Sequence, residues 1–531
     1  MNRKRARIGV LLALLVVISS VSFVTATTPQ SPAPANNDWS SDRADSGRTG
    51  ATNDAGPSPY AAEDWNTSFD ARAESVPAVA DGTAYVSVTT NVELPATGRI
   101  IAYDTEAGEE RWTSSKVGAA RGSPAVADGV VYVATRGTSA DGYENYGGLH
   151  ALDAETGDVE WRVKNAPDGS PIVADDTVYV GGTAYNAETG EELWTAPGEI
   201  IGVVDGTAYA KNDTSVMSLD AEDGTPKWNA QMPATAESYA VDSAVTSDRI
   251  YLTVETDRET QPIYALSTED GTVEWNRSVP RAETHERDLI SEPAVKDGSV
   301  YVSTRGNDSG TVYSLDAETG DEQWTYDTSA DHLSAPTVSD GTVYVGGRFF
   351  TKLADTDDIV RPAAPAVYAI DASNGEERWN YSIREAGSLV AYAPVVDDGK
   401  AYVTVREWNG IFSDESELFA FESSDEKPPV NHQVAENKPE DPSVAIETSP
   451  EDAEERTFEE NRTVVLRANA STAENDEIVR YEWDIDGDGE YEKTGNEIEI
   501  HTDFCGERTI TVRVVDDDKL TADDSVTLTR R

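Results

Sequence analysis

Residues 124–161 read PAVADGVVYVATRGTSADGYENYGGLHALDAETGDVEW, and residues 293–324 repeat most of this stretch as PAVKDGSVYVSTRGNDSGTVYSLDAETGDEQW. Each copy holds an apolar run, an Asp-Gly turn, a Val-Tyr-Val strand, a loop, a second apolar strand, a Gly-containing turn and a strand with Trp. Asp-Gly suits a two-residue hairpin, because both central residues of that turn need positive φ. The repeat therefore predicts one four-stranded antiparallel sheet.

The same unit recurs along most of the chain. A Trp follows the second turn of each unit at intervals of 33 to 55 residues, at Trp112, Trp161, Trp194, Trp228, Trp275, Trp324 and Trp379. Repeats of this length, each forming a four-stranded sheet, indicate a β-propeller. Eight first strands are recognisable, but the eighth unit stops after its third strand. We expect the segment around Trp65 to supply the missing strand, which gives an all-β, eight-bladed β-propeller over residues 61–424.

The repeat resembles a known family of propellers. Ala151-Leu152-Asp153, Gly157 and Trp161 are similar to the Ala-x-Asp-x-x-x-Gly-x-x-x-Trp docking motif of the quinoprotein (PQQ-like) β-propellers. The resemblance covers residues 39–424 and includes a lead-in around Trp39 and Asp45. It implies that Trp65 and the seven tryptophans named above each pack against the neighbouring blade.

The C-terminal segment has a different pattern. Residues 425–442 form a polar linker, and residues 443–531 alternate apolar and polar residues as half-buried strands do. Tyr481, Trp483 and Asp484, together with Gly487 and Asp488, are similar to the Tyr-x-Trp-Asp-x-Gly-Asp-Gly region of a PKD (polycystic-kidney-disease) domain. The resemblance implies an immunoglobulin-like β-sandwich, a module that usually serves as a spacer or adhesion unit.

Three carboxylates in this segment are candidate metal ligands. Asp484, Asp486 and Asp488 lie at alternate positions in a Gly-containing turn, and carboxylate oxygens are the ligands that calcium prefers. The twelfth position of the loop would be Gly495 rather than Glu, which excludes a complete EF-hand. The alternative is a turn whose Asp side chains accept hydrogen bonds from backbone N–H groups.

The start of the chain predicts export. Four basic residues among the first seven precede an apolar run from Ile8 to Val24, and small residues up to Ala26 offer a cleavage site. We expect residues 1–26 to be a signal peptide or an N-terminal anchor, residues 27–60 to be a lead-in, and the protein to be extracellular or on the cell surface.

The charge narrows the classes of partner. The net charge is −57, which argues against binding nucleic acid or an anionic membrane surface. Only 12 of the 42 basic residues are Lys, and this acidic, lysine-poor balance resembles that of halophilic proteins, most simply haloarchaeal ones. The alternative is an ordinary acidic secreted protein.

The sequence does not point to catalysis. Redox members of the resembled family hold PQQ on the propeller axis under a vicinal disulfide, with calcium and an Asp base beside it. Cys505 is the only cysteine here, and the five histidines have no metal-ligand spacing. We therefore expect no catalytic residue and no PQQ, and a scaffold that binds a protein or glycan. The alternatives are a PQQ-dependent oxidoreductase and a structural surface-layer component.

Arginines provide a candidate partner site. In four units an Arg follows the Tyr of the second strand by four residues, at Arg136, Arg305, Arg348 and Arg406. Each would leave its strand on the face with long, variable loops, where they could form a basic arc that binds carboxylate or phosphate groups. The alternative is that each Arg pairs with a nearby acid.

Overall fold

Ten β-sheets make up the part of the chain that the structure describes. This computed structural model describes residues 39–530 except 74, 92–95, 121, 138–144, 233–237, 257–259, 281–289, 305–309, 329, 331–332, 349–364, 384–388, 408–414, 429–442, 451–452, 454–455, 460, 472–477, 487–490, 505 and 517–520. The signal segment therefore lies outside the described residues. Within them, no helix is long and apolar enough to cross a bilayer.

Eight sheets follow one another along residues 51–424, and each is antiparallel through its first to fourth strands. We number them sheet 1 to sheet 8. The first strand of a sheet is the one directly before its tight turn (Ala78–Ala80 in sheet 1, Ala125–Ala127 in sheet 2, Val395–Asp397 in sheet 8), and the second to fourth strands follow it across the sheet. Sheets 1, 2 and 8 also hold a short strand that pairs with the second strand beside the first (Arg72–Ala73, Ala119–Ala120 and Leu389–Ala391). Sheet 1 holds Arg72–Ala73, Ala78–Ala80, Thr83–Asn91, Thr97–Asp104 and Glu110–Thr113; sheet 2 holds Ala119–Ala120, Ala125–Ala127, Val130–Arg136, Gly148–Asp153 and Val159–Lys164. Sheet 3 holds Ile172–Ala174, Thr177–Val180, Thr183–Asn186 and Glu192–Thr195; sheet 4 holds Glu199–Val204, Thr207–Lys211, Ser215–Asp220 and Pro226–Gln231.

Sheets 5 to 8 continue the series. Sheet 5 holds Ser238–Val245, Arg249–Thr256, Thr260–Ser267 and Val273–Pro280; sheet 6 holds Ala294–Lys296, Ser299–Thr304, Gly310–Asp316 and Glu322–Thr328. Sheet 7 holds Thr337–Ser339, Thr342–Arg348, Pro365–Asp371 and Glu377–Ser382, with Ala51–Thr52 parallel to its first strand. Sheet 8 holds Leu389–Ala391, Val395–Asp397, Lys400–Glu407, Glu415–Ser424 and Tyr60–Asp70.

Asp-Gly pairs form the turn between the first and second strands, as expected. In sheet 2, for example, Asp128 has φ 50° and Gly129 has φ 77°. Asp tolerates the left-handed region better than most residues and Gly enters it without strain. The first-to-second turn is therefore equally short wherever this pair recurs.

The eighth sheet is completed from the N-terminal side, which confirms the expected pairing. Tyr60–Asp70 runs antiparallel to Glu415–Ser424, with Trp65 opposite Ala420. The third strand of sheet 8 thereby gains a neighbour instead of an open edge, and open edges invite aggregation.

Tryptophan joints connect each sheet to the next. The indole N–H donates to a backbone carbonyl of the following sheet at 2.8–3.2 Å for Trp65, Trp112, Trp161, Trp194, Trp228, Trp275, Trp324 and Trp379. The acceptor of Trp65 in sheet 8 is Thr105, beside sheet 1, so the joints run from sheet 8 back to sheet 1. Each of these indoles therefore bridges two neighbouring sheets, at the positions that the family resemblance named.

Each joint also packs aromatic rings together. Every docking Trp lies 5.8–6.2 Å, between ring centroids, from the second-strand Tyr of its own sheet or, for Trp65, from Tyr402 of sheet 8. Such tilted pairs contribute about 0.5–1.5 kcal/mol each beyond the area they bury. The joint therefore combines a hydrogen bond with aromatic packing.

The joint onto sheet 8 is built differently from the others. Sheet 8 has no hairpin between its third and fourth strands, because those strands come from opposite ends of the repeat region. Trp379 donates instead to the carbonyl of Pro57, just before Tyr60–Asp70. The residues that precede the N-terminal strand thus replace the missing turn.

Two further sheets share a separate core at the C-terminal end. One contains Ser443–Ser449, Thr463–Ser471 and Glu497–His501; the other contains Thr457–Phe458, Thr521–Arg530, Gly506–Asp516, Ile478–Asp484 and Lys493–Thr494. Trp483 is fully buried between them with Leu466 and Val512. Residues 429–442, which include most of the predicted linker, lie outside the described residues.

We predict that Gly320→Ala destabilises the propeller more than Gly298→Ala does. Both glycines belong to sheet 6 turns with φ near 70–80° (71° and 79°), so Ala strains the backbone at both. A Cβ on Gly320 would lie 2.6 Å from the Trp275 ring, whereas a Cβ on Gly298 meets nothing within 4 Å. Overpacking of this kind costs about 1–3 kcal/mol. Scanning calorimetry should show the larger fall in melting temperature for Gly320→Ala; equal falls would contradict the packing role of the joint.

Candidate functional site

The first strands of the eight sheets surround a common axis. Neighbouring first strands contact each other from sheet 1 through sheet 5, from sheet 6 through sheet 8, and between sheets 8 and 1. These strands are largely buried, while the fourth strands that carry Trp are mostly exposed. The first strands therefore form the inner wall of the ring.

Residues 39–55, which we call the belt, run around the inside of this wall. Backbone N–H groups of the first strands donate to belt carbonyls at 2.6–2.9 Å: Val79 to Trp39, Val126 to Ser40, Val203 to Ser46, Val245 to Gly47, Val295 to Thr49 and Val338 to Gly50. Gly399 of sheet 8 donates to Ala55 at 3.0 Å. The belt thus bonds to sheets 1, 2, 4, 5, 6, 7 and 8 in chain order.

Equivalent sequence positions make these bonds possible. The six donor valines each lie two residues before the first residue of the tight turn, and each is paired with the second strand in the same register, as Val126 is with Val131. In that register the valine N–H faces away from the second strand and needs another acceptor. The belt carbonyls supply it.

Charged side chains of the belt enter the ring. Arg43 is 3% exposed; its Nη2 donates to the Pro293 carbonyl at 3.0 Å, and its Nε lies 3.6 Å from Oε2 of Glu292 in the segment that leads into sheet 6. Arg48 pairs with Asp42 at 2.7 Å. Asp45 closes a belt turn by accepting from the backbone N and the hydroxyl of Thr49. The belt is therefore held by side chains as well as by its carbonyls.

Glu292, beside Arg43, is an acidic group whose pKa is shifted by its surroundings. Burial raises its pKa to about 7, with Asp42 and Asp242 acting in the same direction and Arg48 and Arg43 opposing them. Its side chain is 34% exposed. Glu292 can therefore gain or lose a proton near neutral pH. Burial raises the pKa of Asp45 as well.

The four predicted arginines differ in their surroundings. Arg136 ends its strand in sheet 2 with an exposed side chain, and Arg406 in sheet 8 is half-buried. Arg348 is 3% exposed, and its strand, Thr342–Arg348, is buried over all seven residues, so its guanidinium is not open to solvent. Arg348 and Arg406 both have partners. Arg305 and most of the long loops beside these residues lie outside the described residues.

Among the described residues, the acidic turn brings the predicted Asp484 and Asp486 together with Glu492, which was not among the predicted ligands. Ligand oxygens of Asp484, Asp486 and Glu492 lie within 4.8 Å of one another, and Asp488 lies outside the described residues. Glu492 also accepts from the backbone N of Ile485 at 2.9 Å. Counting along an EF-hand loop misses Glu492, because the chain returns to Asp484 through a hairpin in which Glu492 N bonds to the Trp483 carbonyl.

The described histidines lie apart. His150 is buried in sheet 2, its Nε2 is 3.0 Å from the Tyr146 carbonyl, and burial lowers its pKa to about 4. His501 lies in the C-terminal region, and His285, His332 and His432 lie outside the described residues. His150 is therefore uncharged at neutral pH.

Two known proteins are similar in sequence to parts of this chain. The chain is 24% identical over 312 residues to polyvinylalcohol dehydrogenase of Sphingopyxis sp. (strain 113P3). This match covers 49% of this chain and 46% of that protein. It is 32% identical over 206 residues to the serine/threonine-protein kinase AfsK of Streptomyces coelicolor, covering 34% of this chain and 24% of the kinase. In each case the match spans less than half of the relative's own length.

A solved structure shows the same fold. The quinohemoprotein alcohol dehydrogenase from Comamonas testosteroni superposes with a TM-score of 0.51 and 16% sequence identity, covering 75% of this chain and 82% of that one. At this identity the likeness concerns the fold alone, and the fold is a β-propeller.

The repeats identify the family. Three overlapping stretches, residues 43–197, 182–307 and 259–403, match the family described as outer membrane protein assembly factor BamB. Together they cover more than half of the 531 residues. The chain therefore belongs to this family of PQQ-like repeat propellers.

Proposed function

We propose that this protein is an exported, non-catalytic propeller scaffold that binds a protein or glycan partner at the cell surface. The observation that carries the proposal is the belt: the chain's own backbone bonds to the inner strands of six sheets and to the tight turn of sheet 8, around the axis on which the family resemblance places the cofactor of redox members. We take the eight sheets as eight blades of one closed ring and the C-terminal sheets as a PKD-like spacer. The acidic, lysine-poor composition fits a halophilic source.

The axis does not fit PQQ. The family resemblance implies a vicinal disulfide above the quinone, and the sequence has a single cysteine, Cys505, in the C-terminal region. The belt residues Arg43 and Asp45 on the axis are already engaged, by the Pro293 carbonyl and by Thr49 respectively. These observations support a scaffold without a redox cofactor.

A PQQ-dependent oxidoreductase is the second candidate. It is favoured by the similarity to polyvinylalcohol dehydrogenase and by the fold shared with a quinohemoprotein alcohol dehydrogenase. The chain is also similar over 206 residues to the kinase AfsK, whose name is not that of a dehydrogenase. Similarity to a dehydrogenase is therefore not specific evidence for redox activity. A structural surface-layer component would share the scaffold architecture.

The partner site is assigned to the face with long loops. Tight turns occupy the opposite face, and variable loops carried on a rigid scaffold usually bear the binding residues. Arg136 is the exposed member of the proposed basic arc, so it is the better residue for testing anion recognition. Arg348 is unsuitable for this test, because replacing a buried guanidinium would alter stability and binding together.

We predict that the full chain, supplied with PQQ and calcium at molar salt, does not reduce an acceptor dye with alcohols or sugars. A quinoprotein dehydrogenase assayed in parallel shows that the conditions support turnover. Dye reduction that requires added PQQ would overturn the scaffold proposal.

Partner capture from the native cell envelope supplies the positive side of this test. Arg136→Gln should reduce capture, whereas Arg277→Gln, at an exposed outer-strand arginine paired with Asp321, should not. Equal capture by both variants would rule out the arginine arc as the partner site, and the scaffold proposal does not depend on it.

For the C-terminal region we propose a weak calcium site formed by Asp484, Asp486 and Glu492. Titration of the full chain with calcium should release heat at millimolar concentrations, and Glu492→Gln should abolish this heat, because it removes one carboxylate of the group. Glu499→Gln, in a neighbouring strand, is the control. The same heat from Glu492→Gln and from the parent chain would rule out this site.

A further inference from the structure

The belt skips one sheet. It bonds to sheet 2 through Ser40 and to sheet 4 through Ser46, but among the described residues no belt carbonyl accepts from sheet 3. Between these two contacts the belt turns inward, with Arg43 at φ 60° and Ala44 at φ 74°. The excursion of residues 41–45 therefore leaves the inner wall uncovered at sheet 3.

The skipped sheet has an inward backbone donor without an acceptor. Val173 is the counterpart of the six donor valines and pairs with Val178 in the same register. Its N–H thus faces the axis as theirs do, but no acceptor for it exists among the described residues. Val396 of sheet 8 has the same register and likewise no belt acceptor, but there the belt still reaches the sheet through Gly399, whereas sheet 3 has no belt bond among the described residues. A ligand oxygen could accept from the Val173 N–H at this position.

A cavity of about 520 Å³ opens at this place. Its wall is formed by the belt and by the turn ends of sheets 2 to 5, including Val173, Asp175 and Asp205. This volume falls within the range of roughly 300–1,000 Å³ that small-molecule sites occupy. The cavity lies at the tight-turn end of the ring, opposite the face assigned to the partner.

The chemistry of the wall selects the ligand. The lining residues include three carboxylates, Asp45, Asp175 and Asp205, and six hydroxyl side chains, and none of them is Lys, Arg, His or aromatic. The remaining lining is mostly Ala and Val. A wall with carboxylates and no cationic side chain disfavours anions and favours a ligand that carries positive charge and hydrogen-bond donors beside a small apolar surface.

We infer that this cavity binds a small hydroxylated amine, whose ammonium group meets the carboxylates at the rim and whose oxygen accepts from the N–H of Val173. The site is independent of the partner face and of the acidic turn in the C-terminal region. Its two rim carboxylates, Asp175 and Asp205, occupy the first turn position of sheets 3 and 4, both with φ 49°.

Three sugars that differ mainly in charge provide the test. D-glucosamine is cationic, D-glucose neutral and D-glucuronate anionic at neutral pH. Titration calorimetry on the full chain, at the lowest salt concentration at which it remains folded, should detect glucosamine binding about tenfold tighter than glucose, since one charged hydrogen bond contributes about 1.5–3 kcal/mol in a protein. Glucuronate should not bind.

Substitution of the rim carboxylates separates this site from other binding. The double variant Asp175→Asn, Asp205→Asn keeps the turn geometry, because Asn also tolerates positive φ. It should weaken glucosamine binding about tenfold, to the level of glucose, without lowering the melting temperature. Asp128→Asn, Asp297→Asn is the matched control: these residues hold the same turn position in sheets 2 and 6, with φ 50° and 49°, are also exposed, and do not line the cavity.

Several results would overturn the inference. Equal binding of glucuronate and glucosamine contradicts the site, and so does an Asp175/Asp205 variant that keeps the parent affinity for glucosamine. Absence of heat from glucosamine up to about 50 mM, a range that covers affinities weaker than the millimolar scale, contradicts it as well. An equal loss of affinity in the control variant would also overturn it, because it would show general charge attraction rather than a site at sheet 3.

Discussion

Unpaired backbone donors on the inner strands are the constraint from which the rest of this structure follows. Within its own repeat, the first strand of each sheet has a hydrogen-bonded neighbour on one side only, so alternate N–H groups point toward the axis. A buried N–H without an acceptor costs about 1–3 kcal/mol, and a ring of eight sheets repeats that cost at equivalent valines. The belt meets this need with six successive backbone bonds, from Trp39 to Gly50. The belt therefore lines the inner wall along most of the ring.

The tryptophan joints hold neighbouring sheets together at their outer edges. Each indole joins two sheets through one hydrogen bond, and a Gly such as Gly320 lets the ring approach the turn backbone closely. The belt and the joints meet at sheet 8, where Pro57 accepts from Trp379 just before the closing strand begins. The N-terminal segment therefore both lines the ring and closes it.

Much of this arrangement could be predicted from the sequence, because it depends on side chains. The Trp and Gly spacings predicted the joints, and the incomplete eighth unit predicted the pairing of Trp65 with the last repeat. The belt could not be predicted in this way, since its contacts are made by carbonyls that every residue carries. The burial of Arg348 depends on how its strand packs, and Glu492 approaches Asp484 through a hairpin that linear spacing does not show.

The position of the belt can be tested most directly by hydrogen exchange read at single residues in the full chain. The N–H groups of Val79, Val126, Val203, Val245, Val295 and Val338 should be protected by their belt acceptors. Val173, which has the same register but no belt acceptor among the described residues, should exchange at least about tenfold faster. Exchange of all seven valines at one rate would contradict a belt bound along the axis.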